Sequence, residues 1–356
     1  MNILYQFNEK YVPYAGVSMT SLFDNNKNID RIDVYVLGEG LESESIEKFY
    51  QLANEYSNID GKVRQIHFLD TGELVDKMKK LNMPTYRGSY AANMRLFVSD
   101  ILDSIRESKV HTQEEANSAD PDRRLLYLDA DTIITGSLEE MYNSKIKTLG
   151  MVYDTLGCQH KYEIGLEKED GYYNSGVILY DLDKWEEGQF TEKIVKHVTN
   201  VRAQYPSPDQ DLINVVVRDE ISPLSIGCNF QPHLRDYSYI AFMKAFSPYP
   251  FYSGEDVAKA NAKPTILHAF RYIGEFPWHK GNLHPFNREF DKYLKLSPWK
   301  DYEKKTSDTG VTLKIEKLLY KMLPKGLFLG IFTMAHKIFY DNANKKSEKN
   351  LISKAM

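Results

Sequence analysis

Short apolar runs alternate with helix-forming segments from the first residues of this chain of 356 amino acids. The runs at residues 3–5, 32–37 and 63–69 contain β-branched and aromatic residues, which favour strands. Helical segments begin at Pro13 and cover residues 43–56 between those strands. Strands that alternate with helices usually become parallel neighbours, with helices on both faces of the sheet. The sequence therefore predicts an α/β fold with a mixed, mostly parallel sheet.

Charge is distributed unevenly along the chain. The formal net charge is −5, yet residues 300–356 contain 12 lysines against 6 acidic residues. The balance of +6 in that segment leaves −11 on residues 1–299. An acidic body argues against nucleic acid as a partner. We expect one domain over residues 1–299 and a separate basic, helical segment over residues 300–356.

The run Leu125-Leu126-Tyr127-Leu128 is apolar throughout, which is the pattern of a strand buried on both faces. It ends in Asp129-Ala130-Asp131, at the edge where open α/β sheets bind ligands. A turn there can bring both carboxylates onto one divalent cation such as Mg²⁺ or Mn²⁺. The same spacing also serves in turns and helix caps, as further Asp-x-Asp pairs beginning at Asp120, Asp181 and Asp209 illustrate. The residues alone leave a metal site and a plain turn as alternatives.

Two common nucleotide-binding motifs are incomplete or missing in this sequence. Gly38-Glu39-Gly40 follows the second predicted strand, but the third glycine of a dinucleotide-binding loop is replaced by Ser43. No Gly-x-x-x-x-Gly-Lys-Ser/Thr loop occurs in the sequence. These observations exclude a nicotinamide site of the Rossmann type and a P-loop.

Six sequence blocks, in order along residues 1–285, resemble glycosyltransferase family 8. The blocks are Asn2-Ile3-Leu4-Tyr5 with Tyr11, Pro13-Tyr14 and Ser18; Met94-Arg95-Leu96; Tyr127-Leu128-Asp129-Ala130-Asp131; Tyr173-Asn174-Ser175-Gly176-Val177; Asp209-Gln210-Asp211-Leu212-Ile213-Asn214; and His268 with Pro277-Trp278. The order of six blocks is far more specific than any one of them. The resemblance implies a retaining, nucleotide-sugar-dependent enzyme of the GT-A fold, a Rossmann-like sheet flanked by helices. Residues 300–356 would add a C-terminal helical appendage to it.

The resemblance also implies a bound metal ion and a UDP-sugar. Asp129, Asp131 and His268 match the residues that bind Mn²⁺ in the family, and Mg²⁺ is the alternative ion. Arg95 matches a residue that contacts the donor and a metal-binding acid, and a guanidinium suits phosphate and carboxylate alike. The remaining donor-binding positions implied by the resemblance are Gln6, Asn8, Tyr11, Ala130 and Gly274.

Asn174, Asp209 and Gln210 match the residues that surround the reacting sugar in the family. Asn174, expected in a turn before a strand at 177–180, and Asp209, expected at a helix start, would hold sugar hydroxyls. Gln210 would lie near the anomeric carbon. A double displacement needs a carboxylate nucleophile, and an amide is a poor one. We therefore favour a front-face substitution in which the leaving diphosphate helps to deprotonate the acceptor hydroxyl.

The chain departs from the family pattern at two places. Asn8 and Lys10 occur where the family has an Asp and an Asn that hold uridine, and Phe276 occurs at a lysine that holds the diphosphate. Arg271 or Lys280 could supply the missing positive charge. If neither does, the alternative is a catalytically weak GT-A scaffold, or a partner subunit of a glycosyltransferase complex.

Apolar residues of the C-terminal segment recur at helical spacing on both sides of Pro324, with lysines among them. Neither stretch is long enough to span a bilayer. Basic amphipathic helices lie in the headgroup region of anionic membranes, and we expect this of residues 310–340. Packing on the body of the protein, or on a second copy in a homo-oligomer, is the alternative.

Taken with the family resemblance, the sequence predicts a bacterial hexosyltransferase. It would move galactose or glucose from a UDP-sugar to a saccharide, lipid-linked or glycoprotein acceptor of the cell surface. No signal peptide or membrane-spanning stretch is recognised. We therefore expect a cytoplasmic protein, attached peripherally to the inner face of the cell membrane if residues 310–340 bind lipid.

Overall fold

The computed structural model describes residues 1–57, 61–86, 88–101, 123–156, 161–201, 205–307 and 310–335. The strands are β1 (Asn2–Asn8), β2 (Arg31–Glu39), β3 (Val63–Leu69), β4 (Arg124–Asp129), β5 (Thr132–Ile134), β6 (Leu149–Tyr153), β7 (Tyr173–Asp181), β8 (Ile221–Pro223) and β9 (Ile266–His268). All three predicted N-terminal strands are present, and β3 covers the predicted residues.

Seven strands form one sheet in the order β3-β2-β1-β4-β7-β6-β8. Strands β3, β2, β1 and β4 run parallel to one another. Strand β7 is antiparallel to both β4 and β6, and β8 is parallel to β6. The prediction of a mixed, mostly parallel sheet is confirmed.

Helices cover both faces of this sheet. They are α1 (Val12–Asn25), α2 (Ser43–Ser57), α3 (Gly72–Lys80), α4 (Glu139–Tyr142), α5 (Leu182–Glu187), α6 (Phe190–Asn200), α7 (Pro208–Val216), α8 (Pro232–Asp236), α9 (Tyr239–Phe246), α10 (Gly254–Ala262), α11 (Asn287–Leu296) and α12 (Val311–Met322). Residues 325–335 are also helical. Pro13 lies in the first turn of α1, where its missing N–H removes no helical hydrogen bond.

The central strand β4 is buried on both faces because successive side chains of a strand point to opposite sides. Leu126 and Leu128 belong to the apolar core on the face covered by α1 and α11. Leu125 and Tyr127 belong to the core on the face covered by α6 and α7. The apolar run at 125–128 is therefore the doubly covered strand that its composition predicted.

A second, two-stranded sheet ties the end of β4 to β9. Strands β5 and β9 are antiparallel, with Thr132 opposite His268. The N–H of Ala269 donates to the carbonyl of Asp131 at 2.8 Å. This backbone pairing brings two segments that are far apart in sequence to the same edge of the large sheet.

The C-terminal helices pack on the body of the protein. Phe328 and Leu329 are buried in the core on the α1 face. The Asp236 carboxylate accepts a hydrogen bond from the Tyr320 hydroxyl at 2.6 Å and pairs with Lys325. Within the described residues, no helix combines the length and apolarity needed to cross a membrane. The division of the chain near residue 300 stays a prediction.

Candidate active site

Two carboxylates and an imidazole converge beside the carboxyl end of β4. One ligand atom from each of Asp129, Asp131 and His268 lies within 4.8 Å of the other two. The Nε2 atom of His268 is 3.3 Å from Asp131 Oδ1 and 3.7 Å from Asp129 Oδ2. Burial lowers the pKa of His268, but the carboxylates, chiefly that of Asp131, outweigh burial and raise it above its ordinary value. The three residues predicted to bind a metal therefore form one compact cluster.

Gly176, in β7, lies directly against this cluster. A Cβ atom at Gly176 would come within 2.1 Å of His268 Cε1 and 2.9 Å of Asp129 Oδ2. Glycine in a strand interior weakens the strand but permits such a close approach. The glycine of the Asn174-Ser175-Gly176 block is thus required by the position of the imidazole.

Arg95 connects the cluster to the first turn of α7. Its guanidinium Nη2 is 3.0 Å from Asp129 Oδ1, and its Nε is 3.5 Å from Asp209 Oδ2. Its Nη1 donates to the Ser175 carbonyl at 2.7 Å, and the guanidinium lies 4.1 Å from the centre of the Tyr127 ring. Burial lowers the pKa of Arg95, yet Asp129 and Asp209 hold it above its ordinary value. Arg95 is therefore a fixed cation that bridges two carboxylates.

Asp209 and Gln210 are buried in the first turn of α7. The Ser175 hydroxyl donates to Asp209 Oδ2 at 2.9 Å, and the Ser175 N–H donates to Gln210 Oε1 at 3.0 Å. Gln210 Nε2 donates to the Tyr172 hydroxyl at 2.9 Å. Burial raises the pKa of Asp209, and Arg95 opposes that rise. Both ends of the Gln210 amide are thus held by protein groups.

Asn174 lies inside β7 and not in the turn that we predicted. Pairing of β7 with β6 extends to Asn174, which is opposite Val152, so strand hydrogen bonds replace the turn geometry that asparagine often favours. Its Nδ2 donates to Asp154 Oδ2 at 2.7 Å, and its Oδ1 accepts from Asn229 Nδ2 at 2.8 Å. Sequence reasoning missed Asp154 and Asn229, because neither belongs to a recognisable motif.

At the carboxyl end of β1, Gln6 is in register with Asp129. The buried Oε1 atom of Gln6 has no hydrogen-bond partner in the part of the chain that the structure describes. Asn8 Oδ1 instead accepts from the Lys10 N–H at 3.2 Å, which caps the short turn after β1. Ala130 is buried between the two acids. Gln6 therefore offers an unsatisfied acceptor one strand away from a candidate metal ligand.

Phe276, the residue at the expected lysine position, belongs to an aromatic stack. Its ring stacks on Trp278 with centroids 4.5 Å apart, and Trp278 stacks on Tyr14 at 4.0 Å. Tyr11, 39% exposed, contacts Trp278 edge-on at 6.5 Å. The guanidinium of Arg271 lies 5.7 Å from the centre of the Phe276 ring. A cation therefore lies beside the residue that replaces the lysine.

Gly274 adopts a left-handed conformation, with φ of 72°, beneath the C-terminal helix α12. A Cβ atom there would lie 3.0 Å from the Leu313 side chain. The next residue, Glu275, is buried and pairs with Lys317 at 2.7 Å, and Lys317 also donates to the Gly281 carbonyl at 2.8 Å. The loop after His268 is thus covered and held by α12.

Comparison with known proteins agrees with the fold. The profile of Glycosyl transferase family 8 matches residues 2–108 and 120–281. The chain is 27% identical over 307 residues to lipopolysaccharide 1,2-glucosyltransferase of Escherichia coli (strain K12), covering 85% of this chain and 79% of that protein. It is 23% identical over 309 residues to lipopolysaccharide 1,3-galactosyltransferase of Salmonella typhimurium, covering 84% of this chain and 79% of the relative.

Among solved structures, the galactosyltransferase LgtC in complex with donor and acceptor sugar analogues superposes with a TM-score of 0.62. The match has 21% sequence identity and covers 84% of this chain and 96% of that one, which shows a shared GT-A fold. Enzymes of family 8 use a nucleotide-sugar donor and a divalent metal. Because the family profile spans most of the chain, this protein belongs to glycosyltransferase family 8.

Proposed function

We propose that this protein is a metal-dependent, retaining hexosyltransferase that moves galactose or glucose from a UDP-sugar to a bacterial cell-surface glycan or glycoprotein. The observation that carries the proposal is the continuous contact from Asp129 through Arg95 to Asp209. This contact joins the cluster of Asp129, Asp131 and His268 to the buried carboxylate of Asp209. This combination suits transfer from a nucleotide sugar, because the cluster would bind the diphosphate and the carboxylate would bind the sugar.

The chemistry of the cluster suits Mn²⁺, with Mg²⁺ as the alternative. Two carboxylates and one imidazole are a mixed oxygen and nitrogen donor set, whereas Mg²⁺ prefers oxygen ligands and retained water. Asp129, Asp131 and His268 would hold the ion, which would stabilise negative charge on the donor diphosphate. Arg95 supplies a second positive charge next to Asp129.

The UDP moiety is proposed to contact Gln6, Asn8, Tyr11, Ala130 and Gly274. The unsatisfied Gln6 Oε1 supports this, because a buried acceptor without a partner costs free energy that a ligand N–H or O–H would restore. Arg271 is proposed to hold the diphosphate in preference to Lys280, since its guanidinium lies against Phe276. The intact cluster and this nearby cation favour an enzyme over the alternative of a catalytically weak scaffold.

Asp209, Gln210 and Asn174 are proposed to surround the reacting hexose. Gln210 Oε1 already accepts the Ser175 N–H, so it is poorly prepared to attack the anomeric carbon. We therefore favour a front-face substitution. The acceptor oxygen bonds to the anomeric carbon on the face from which the diphosphate departs, and the acceptor proton passes to an oxygen of that diphosphate. A trapped glycosyl adduct on Asp209 would contradict this route.

The acceptor is proposed to be a surface saccharide, either lipid-linked or carried on a protein. The two relatives named above are lipopolysaccharide glycosyltransferases, which supports an acceptor of this class. Such acceptors are assembled at membranes. We accordingly propose a cytoplasmic location with peripheral attachment to the inner face of the cell membrane.

The outer face of the C-terminal helices supports attachment to an anionic bilayer. Val311, Ile315, Leu318 and Met322 recur along one face of α12, and each is more than half exposed. In the following helix, three further apolar residues are exposed, namely Leu327, Ile331 and Met334. Exposed lysines flank this apolar face at Lys314 and Lys321. Apolar side chains bordered by lysines match the interface of an anionic membrane.

Release of UDP by the full-length protein tests the enzymatic proposal. Mn²⁺ and a panel of nucleotide sugars that includes UDP-galactose and UDP-glucose would be supplied. We expect release from a UDP-hexose, and a loss of about 100-fold or more in Asp131→Asn because a metal ligand is removed. Asp219→Asn, at a carboxylate 87% exposed, is the matched control. No release from any donor, or release unaffected by Asp131→Asn, would favour the scaffold.

A further inference from the structure

Asn229 is fully buried beside His268, and nothing in the sequence motifs accounts for it. The neighbouring residue Phe230 pairs with β9: its N–H donates to the Ile266 carbonyl at 2.8 Å, and its carbonyl accepts from the His268 N–H at 3.0 Å. This pairing fixes the backbone of Asn229 next to the imidazole. The Oδ1 atom of Asn229 lies 3.0 Å from His268 Nδ1.

The orientation of the Asn229 amide is set by groups farther from the cluster. Its Nδ2 donates to Asn174 Oδ1 at 2.8 Å, and the Gly176 N–H donates to the same oxygen at 3.0 Å. A backbone N–H can only donate, so the atom of Asn174 that faces it must be the oxygen. The other end of the Asn174 amide donates to Asp154 Oδ2 at 2.7 Å. This contact to a carboxylate oxygen agrees with the orientation that the Gly176 N–H selects.

From Asp154 to His268, each hydrogen bond therefore fixes which atom donates and which accepts in the next one. Asp154 accepts from Asn174, Asn174 accepts from Asn229, and the remaining Asn229 oxygen faces His268 Nδ1. That oxygen can bond to the ring only if Nδ1 carries a proton. In the neutral imidazole, the lone pair is then on Nε2, the atom that faces Asp131 and Asp129.

We infer that Asn229 is a positioning residue that selects the imidazole tautomer and leaves the Nε2 lone pair of His268 free for a divalent cation. Metal-bound histidines generally need such a partner on the second ring nitrogen, and loss of it weakens metal affinity by about 10–100-fold. Asn174 and Asp154 extend the same support deeper into the protein. The inference rests on the proposed metal site and assigns it residues outside the ligand set.

Mn²⁺ affinity of the full-length protein, measured by electron paramagnetic resonance of free Mn²⁺, tests this inference without reference to turnover. Asn229→Leu removes the acceptor while it keeps the number and branching of the side-chain heavy atoms, and it should weaken Mn²⁺ binding by about 10–100-fold. Asn229→Asp keeps an acceptor for Nδ1–H but loses the donor to Asn174 Oδ1, so it should weaken Mn²⁺ binding less than Asn229→Leu does. Asn26→Asp, at a buried asparagine that caps α1, is the matched control and should bind Mn²⁺ like wild type.

Wild-type affinity in folded Asn229→Leu would overturn the inference while leaving the metal site intact. Absence of Mn²⁺ binding in wild type, in contrast, would reject the metal site itself. If Asn229→Leu does not fold, nitrogen NMR of ¹⁵N-histidine-labelled wild type with Mg²⁺ and UDP decides the question. A protonated Nδ1 in His268 is expected, and an unprotonated Nδ1 would overturn the inference. The His268 signal would be distinguished from the signals of the eight other histidines of the chain by its change in Asn229→Asp.

Discussion

Gly176 and His268 are so close that no side chain fits between the strand backbone and the imidazole ring. An added Cβ would lie 2.1 Å from Cε1 and 2.7 Å from Nδ1 of the ring. Protein interiors are too densely packed to absorb an overlap of this size without movement of one partner. The position of the ring therefore depends on the smallest residue in a neighbouring strand.

Gly176→Ala is expected to displace His268 and weaken Mn²⁺ binding by about 100-fold, because the ring must leave the carboxylates. Gly136→Ala is the matched control, since a Cβ there meets Thr265 Cα at an ordinary 3.6 Å. Calorimetric titration with Mn²⁺ would measure both variants. Unchanged affinity in Gly176→Ala would show that the ring can rearrange within the site.

Arg95→Lys is expected to lower kcat by about 10–100-fold, because a lysine keeps the charge but cannot contact Asp129, Asp209 and the Ser175 carbonyl together. Arg123→Lys, in a partly exposed ion pair with Asp183 at the other end of β4, serves as the control. Steady-state kinetics of UDP release would compare the two. A wild-type kcat in Arg95→Lys would mean that charge alone suffices.

Arg271→Gln is expected to raise the KM for the UDP-sugar by about tenfold, which corresponds to about 1.4 kcal/mol of lost attraction to the diphosphate. Lys280→Gln should change KM less than twofold. UDP affinity, measured by titration calorimetry, should follow the same order. The reverse order would assign the diphosphate contact to Lys280.

Leu318→Asp is expected to reduce binding to vesicles that contain phosphatidylglycerol by about tenfold or more, because it adds a negative charge to the apolar face of α12. Ile240→Asp, at a residue 80% exposed on α9, is the matched control and should bind normally. Co-sedimentation with phosphatidylglycerol and with phosphatidylcholine vesicles would measure both. Equal binding by wild type and Leu318→Asp would reject a lipid contact, and a change in oligomeric state would indicate a second copy instead.

Asp236→Asn is expected to lower the free energy of unfolding at pH 7. Burial raises the pKa of Asp236, but Lys325, Tyr272 and Tyr320 outweigh burial and lower it below 3.8. A carboxyl whose folded-state pKa is depressed stabilises the fold above its ordinary pKa, and that contribution is lost as pH falls. The difference between wild type and variant should therefore shrink below about pH 3.8, as urea denaturation across pH would show. A pH-independent difference would contradict this origin.

Local patterns predicted the sheet, whereas the grouping of Asp129, Asp131 and His268 was implied by the family resemblance. The apolar run before Asp129 identifies a strand end, and strand ends are where open α/β sheets bind ligands. Asn229 and Asp154 could not be found in this way, since their roles arise only from tertiary contacts. Asn174 was misplaced in a turn because its strand pairing with β6 involves residues about 20 positions away.

The amphipathic pattern of the C-terminal segment was also visible in the sequence. The sequence did not show which of its apolar residues pack on the body and which are exposed. Leu319 and Leu323 pack on the body, whereas Leu318 and Met322 are exposed. All four are apolar residues at helical spacing. Only the position of the body decides which of them become buried.

The contact of Gly274 with Leu313, and of Glu275 with Lys317, has a consequence for how this enzyme can diverge or be engineered. If the C-terminal segment, here called the tail, were replaced by that of a relative, new side chains would contact the loop at Gly274 and Glu275, which packs on α12 in this protein. A Cβ at Gly274 would make a tight contact of 3.0 Å with Leu313, and the buried Glu275 is paired with a lysine of the helix. Chimeras that exchange the tail should therefore transfer residues 271–281 with it, because the two segments pack against each other.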